Sequence, residues 1–189
     1  LIQGGHNPNL KIEYYENAFK MIRQKFPNVG VHGLSTSEID MISRIEKTST
    51  KEVLSRLKES GLQSIPGAGA EILVDSVKDV ISPKKISSAD WIRIMDEAHT
   101  LGLPASATMM YGHVEKKSDV VEHFYKIVKL QETNAKQLKE INQLKNTLFT
   151  NITHEFRTPI STISLACEAM EDNDMVGGNA ADMKPYIRM

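Results

Sequence analysis

Cysteine is almost missing from this sequence: 189 residues contain one, Cys167. A single thiol has no partner for an internal disulfide. It also excludes any zinc or iron–sulfur site built from several cysteines of this chain. No run approaches the roughly 18 apolar residues of a membrane-spanning helix, and no charged-then-apolar leader opens the chain, so a cytoplasmic protein is expected. An excess of either charge is lacking too. The net charge of −1 gives no reason to expect a nucleic-acid or anionic-membrane partner. The chain opens at Leu1, inside an apolar run and without methionine, which reads as a segment whose beginning is missing. What is present, 40% apolar and 25% charged residues, is ordinary for a globular protein.

The first two thirds alternate short β-type runs with helical patterns. Leu1-Ile2-Gln3 reads as the end of a strand, followed by the Gly4-Gly5-His6-Asn7-Pro8 loop. Ile12, Tyr15, Phe19, Ile22 and Phe26 recur at helical spacing up to Pro27. Residues 29–34 are a second β-type run, closed by Ser35-Thr36-Ser37, which can cap a helix over 38–46. A further helix over 50–60 stops at Gly61. Residues 63–66 lead into Gly67-Ala68-Gly69-Ala70-Glu71, where the two glycines read equally well as turn formers. An amphipathic stretch spans 72–81. Ser87-Ser88-Ala89-Asp90 opens a helix carrying Trp91, Ile94, Met95 and Ala98. Residues 104–110 are a fourth β-type run, and a helical pattern begins near Lys117. This alternation predicts an α/β fold: an incomplete (βα) barrel-type parallel sheet of about four strands. The loops after the strands carry the Gly, Glu and His residues, at the edge where such folds bind ligands.

Past Leu130 the pattern becomes a seam. Leu138, Ile141, Leu144, Leu148, Ile152, Phe156, Ile160 and Ile163 recur at steps of three and four, as in a coiled coil. A long helix and a truncated helical hairpin are predicted, with Gly177-Gly178-Asn179 as the turn.

Gln3-Gly4-Gly5-His6-Asn7-Pro8, the 64–75 segment, Ser82-Pro83-Lys84-Lys85 and Ala107-Thr108-Met109-Met110-Tyr111-Gly112-His113 occur in order. Residues 1–133 thereby resemble radical S-adenosylmethionine enzymes of the futalosine branch of menaquinone synthesis. The likeness is to cyclic dehypoxanthinyl futalosine synthases and, more loosely, to enzymes of deazaflavin cofactor assembly. The resemblance implies that Gly4 and Gly5 offer backbone groups to the methionine end of S-adenosylmethionine, with Glu71, Thr108 and His113 on the ligand rim. It also implies a [4Fe–4S] cluster held by three cysteines after the first strand. Those cysteines are not in this sequence, so radical chemistry is not expected of it, and no metal ligand is assigned.

The run Asn151-Ile152-Thr153-His154-Glu155-Phe156-Arg157-Thr158-Pro159-Ile160 resembles the phosphoacceptor motif of sensor histidine kinases, and residues 134–189 resemble their dimerisation domain. The resemblance implies that His154 takes the γ-phosphoryl group of ATP, as a neutral imidazole can near pH 7. Glu155 would orient the ring or accept its other proton, and Thr158 would help place water for dephosphorylation of the partner. Pro159 removes the donor that would bond to the Glu155 carbonyl and bends the helix. The implied partners are a second copy through 134–189, a response-regulator receiver domain, and an ATP-binding kinase domain acting in trans. The expectation is a composite chain, with its register change near Thr133-Asn134, whose intact site is the phosphoacceptor. The alternatives are a futalosine-pathway menaquinone enzyme and a chimera without function.

Overall fold

The computed structural model describes residues 1–136, 139–140 and 142–147. The chain divides into two units, Leu1–Lys136 and Gln137–Met189. In the second unit the described residues are helical, and the Leu144 side chain is exposed.

The first unit is built on helices α1 (Ile12–Lys25), α2 (Thr36–Glu46), α3 (Thr50–Glu59), α4 (Asp75–Ile81) and α5 (Ser88–Thr100). A further helix, α6, covers 117–136. Three of these begin on a serine. The Ser35, Ser49 and Ser87 hydroxyls accept from the amides of Glu38, Glu52 and Asp90, satisfying donors that the first helical turn leaves over. α1 has no such local cap. Its Ile12 amide donates instead to Glu46 Oε1, at the far end of α2, at 3.0 Å.

The helical stripes meet in one core. Ile12 and Phe19 of α1, Ile39 and Ile42 of α2, Leu54 and Leu57 of α3, and Trp91, Ile94 and Met95 of α5 are buried together. α3 packs against α1, α2 and α5. Burying each large apolar side chain contributes about 1.5–3 kcal/mol, so this shared core is what holds the helices. Polar ties join the same elements. Arg56 of α3 pairs with Glu16 of α1 at 2.8 Å, and Thr50 donates to Glu97 of α5 at 2.5 Å. A smaller cluster, Ile72, Val74 and Val77, lies under α4.

The expected parallel sheet and partial barrel are not formed. Among the described residues there is no strand; the four β-type runs meet through isolated parallel bridges, Ile2 with Gly33, His32 with Ser64, and Ile65 with Ala105. Each pairing stops at an identifiable residue. After Gly33 the chain turns away at Leu34, whose φ of 60° lies in the left-handed region. The Val31 amide donates to the Gln63 side chain at 3.0 Å rather than to a neighbouring backbone carbonyl. Beyond Ile65 stands Pro66, and the bridge partner of Ile65 follows Pro104; neither proline has an N–H to extend a ladder. After the Ser106 amide, which donates to the Ile65 carbonyl at 3.3 Å, the run turns to loop contacts, with the Met110 amide donating to the Glu71 carbonyl at 2.6 Å.

Candidate functional site

The bridged runs are parallel, so the loops that follow them gather at one end. Hydrogen bonds from the Ile2 amide to the His32 carbonyl (2.8 Å) and from the Gln63 amide to the Val31 carbonyl (2.9 Å) fix this order. A cleft of about 470 Å³ opens there, lined by Gln3, Gly5, His6, Ser35, Glu38, Ala68, Lys84 and Lys85.

The organising side chain is Glu38, which the structure buries at the first turn of α2. Its Oε1 accepts from the amides of Gly4 (2.8 Å) and Gly5 (3.0 Å), and its Oε2 from the amide (2.7 Å) and hydroxyl (2.8 Å) of Ser35. Four donors on one carboxylate offset the desolvation of its charge. Gly5 has a φ of 73°, which lets successive amides turn inward on the same oxygen. The amides of the glycine pair are therefore already used. What these two residues have left for a ligand is their carbonyl oxygens.

The other rim residues are placed less uniformly. Glu71 has a φ of 49°, and its carboxylate lies 3.8 Å from Lys85, which lines the cleft. Thr108 donates its hydroxyl to the Gly67 carbonyl at 2.9 Å and tightens the loop instead of lining the cleft. His113 sits in an exposed turn. There the amides of Gly112 and His113 donate to the Glu115 carboxylate, which holds that carboxyl below its usual range. The glycines of the 67–71 loop have structural reasons to be glycine. A Cβ on Gly67 would lie 2.4 Å from the Ser106 carbonyl oxygen, and Gly69 has a φ of 90°. His154, Glu155, Thr158 and the predicted hairpin lie outside the described residues.

Two features of the site are not legible from helical pattern alone. Glu38 stands in the sequence as the start of a helix, and the Ser35-Thr36-Ser37-Glu38 spacing of a capping box is the one local signal of its role. Lys84 and Lys85 stood in a resembling segment, with no local signal that they would face Gly5 and His6 across a cleft. Together they bring two positive charges to a rim that also carries the Glu71 carboxylate, around the fully bonded Glu38.

A family model described as the Radical SAM superfamily matches residues 1–127. The chain belongs to this superfamily. The radical SAM match leaves the end of the chain to a second model, the His Kinase A (phospho-acceptor) domain, which covers residues 144–188. Over 130 residues the chain is 42% identical to a 5-amino-6-(D-ribitylamino)uracil--L-tyrosine 4-hydroxyphenyl transferase of Methanosarcina mazei, covering 69% of this chain and 35% of that protein. The transferase of that name from Microcystis aeruginosa is 43% identical over 136 residues, 69% of this chain and 36% of that protein. A cyclic dehypoxanthine futalosine synthase of Streptomyces coelicolor is 39% identical over 132 residues, 70% of this chain and 33% of that protein. The chain thus spans about a third of the length of the curated relatives it matches.

Membership of the radical SAM superfamily implies S-adenosylmethionine and an iron–sulfur cluster. The donor set does not fit the cluster: the one cysteine, Cys167, lies beyond the matched residues 1–127. Among the described residues no group of three or more His, Cys, Asp or Glu side chains is arranged to hold a metal ion. A cluster on this chain would have to take its thiolates from outside these 189 residues. Among the described residues no helix is long and apolar enough to cross a membrane.

Proposed function

We propose that this chain is a composite in which a histidine phosphoacceptor segment follows a fragment of a radical SAM enzyme, the change falling near 133–134. The observation that carries the proposal is a position: His154-Glu155-Phe156-Arg157-Thr158-Pro159 falls inside the 144–188 match to a phospho-acceptor domain. In this reading a neutral ring nitrogen of His154 attacks the γ-phosphorus of ATP. The P–O bond to the β-phosphate breaks, ADP leaves, and the ring's other proton passes to Glu155 or to solvent. Thr158, one turn on, helps place the water that hydrolyses the phosphoryl group from the receiver partner, releasing inorganic phosphate. ATP is brought by a kinase domain acting in trans, two copies associate through 134–189, and a response-regulator receiver takes the phosphoryl group.

The test is phosphorylation of the full chain by a histidine kinase whose own acceptor histidine has been replaced, with labelled ATP. The expected product is an acid-labile, base-stable label that His154→Gln abolishes. No label, under conditions where an ordinary acceptor domain is labelled, would overturn the reading.

A second reading rests on the 39–43% identity across 130–136 residues of the first unit. Here the first unit keeps the S-adenosylmethionine corner of an enzyme of the tyrosine 4-hydroxyphenyl transferase or cyclic futalosine synthase kind. Gly4 and Gly5 would bind through their carbonyls, with Glu71 beside Lys85 at the rim; Thr108 would act through the loop it tightens, and His113 from its exposed turn. Calorimetric titration of the full chain with S-adenosylmethionine tests it; heat of binding that is lost on Gly5→Val supports it.

A further inference from the structure

Among the ties of helix α6 to the rest of the first unit are two histidine contacts, which differ in what they require. His123, on α6, is 2% exposed, and its Nδ1 accepts from the backbone amide of Leu73 at 3.0 Å. Three residues on, Lys126 donates to the carbonyl of the same Leu73 at 2.7 Å. One residue of the 71–74 loop is thus held by both of its backbone groups to successive side chains of one helix. Leu73 itself is fully buried. The second fastening joins Asn134 of α6 to Nδ1 of His99 on α5 at 2.6 Å.

A backbone N–H can only donate, so Nδ1 of His123 must carry a lone pair, and the ring must be neutral while the contact exists. Adding a proton there sets two N–H groups against each other and puts a positive charge on a buried ring. The Asn134 side chain is different, because an amide has both a donor and an acceptor. Its Oδ1 is buried and has no hydrogen-bond partner among the described residues. Turning the amide over presents that oxygen to a protonated His99 and restores the bond. Acid therefore breaks the first fastening and spares the second.

We infer that the His123–Leu73 contact is a pH-sensitive latch: protonation of His123 frees the Leu73 amide and loosens the 71–74 loop from α6, leaving Lys126 as its remaining tie there, while the His99–Asn134 contact survives. The charge beside the ring favours release: Lys126 faces His123 from its own helix and repels an imidazolium. Its pairing with Glu122 at 2.7 Å and the nearby Asp75 of α4 moderate that repulsion without removing it. Burial, followed by Lys126, holds the His123 imidazole below its ordinary range. His99 is lowered by burial, with Asp96 on its own helix acting against that shift. A depressed folded-state value means that the released state takes the proton first. The latch is closed above the ordinary histidine value near about 6.5 and weakens as pH falls below it, by about tenfold per pH unit for one proton. The release would loosen the loop that carries Glu71, next to Lys85 of the cleft.

Amide hydrogen exchange on the full chain between pH 7.5 and 5.5, corrected for intrinsic rates, tests the latch. Protection at Leu73 and through α6 is expected to fall with pH, while α1, α3 and α5 stay protected. His123→Asn, whose Oδ1 accepts from Leu73 at any pH, should remove that dependence, whereas His99→Asn should keep it. Should His123→Asn not fold, the ring of the unaltered chain can be titrated by NMR. A His123 midpoint at or above about 6.5 overturns the latch. So does protection that is unchanged with pH, or lost evenly across all helices.

Discussion

Glu38 Oε1 sits 2.8 Å from the amide nitrogen of Gly4, across 34 positions of sequence. That contact makes one carboxylate the tie between the loop after residues 1–3 and the start of α2. It also decides what the glycine pair has left for a ligand. In the first unit the charge that would otherwise attract a cation is saturated by four donors, so the exposed chemistry of the cleft is set by His6, Lys84 and Lys85.

Replacing that carboxylate tests the tie. Glu38→Gln keeps one oxygen and turns an amide N–H₂ toward groups that are themselves donors. At least one buried donor is left unsatisfied, and the expected cost is about 1–3 kcal/mol. The midpoint of urea unfolding reads it, at unchanged slope. A midpoint equal to that of the unaltered chain would mean the loops are held by packing alone.

Gly67 is fixed by a close approach. A Cβ there would lie 2.4 Å from the Ser106 carbonyl oxygen and 2.6 Å from the Ala107 Cα, both main-chain atoms. Gly67→Ala should therefore displace the 104–108 run and cost about 1–3 kcal/mol, as overpacking does. Thermal unfolding checks this, and weaker exchange protection of the Ser106 amide should accompany it.

Lys78 of α4 is 1% exposed, and its Nζ has no hydrogen-bond partner among the described residues. Burial lowers its amine below the usual range, against the pull of Asp75 and Glu71. Since the folded value is depressed, the unfolded chain takes up its proton first. Stability from this group is present above the unfolded value of about 10.4 and is lost as pH falls through the interval down to the folded value. Lys78→Met should stabilise the chain at pH 7, by about 1–3 kcal/mol, the usual cost of an unsatisfied buried donor. The gain should shrink as the pH is raised toward about 10. Denaturant midpoints at three pH values suffice; a gain that grows with pH would contradict the account.

The donor count predicts the outcome of cluster assembly. Anaerobic incubation of the 189-residue chain with iron and sulfide should yield no stoichiometric [4Fe–4S] absorbance, because one thiol cannot hold a cubane. A clear cluster signal, surviving gel filtration, would require ligands other than cysteine.

The sequence by itself determined the helices and their inward faces. Serine caps at Ser35, Ser49 and Ser87 and the three-and-four spacing of Ile12, Tyr15 and Phe19 act between chain neighbours, and such signals are local. It also carried the two family likenesses, because ordered motifs survive without coordinates. Only the tertiary structure decided that the β-type runs pair through single bridges. Leu34 adopting a φ of 60° and Gln63 capturing the Val31 amide follow from packing around them, not from propensity. The same holds for the site. That Glu38 would be buried under Gly4 and Gly5, that Lys78 would have no hydrogen-bond partner among the described residues, and that His123 would grip Leu73 from 50 positions away are long-range outcomes. Local pattern fixes which residues a helix turns inward; what those residues meet there depends on how the whole core closes.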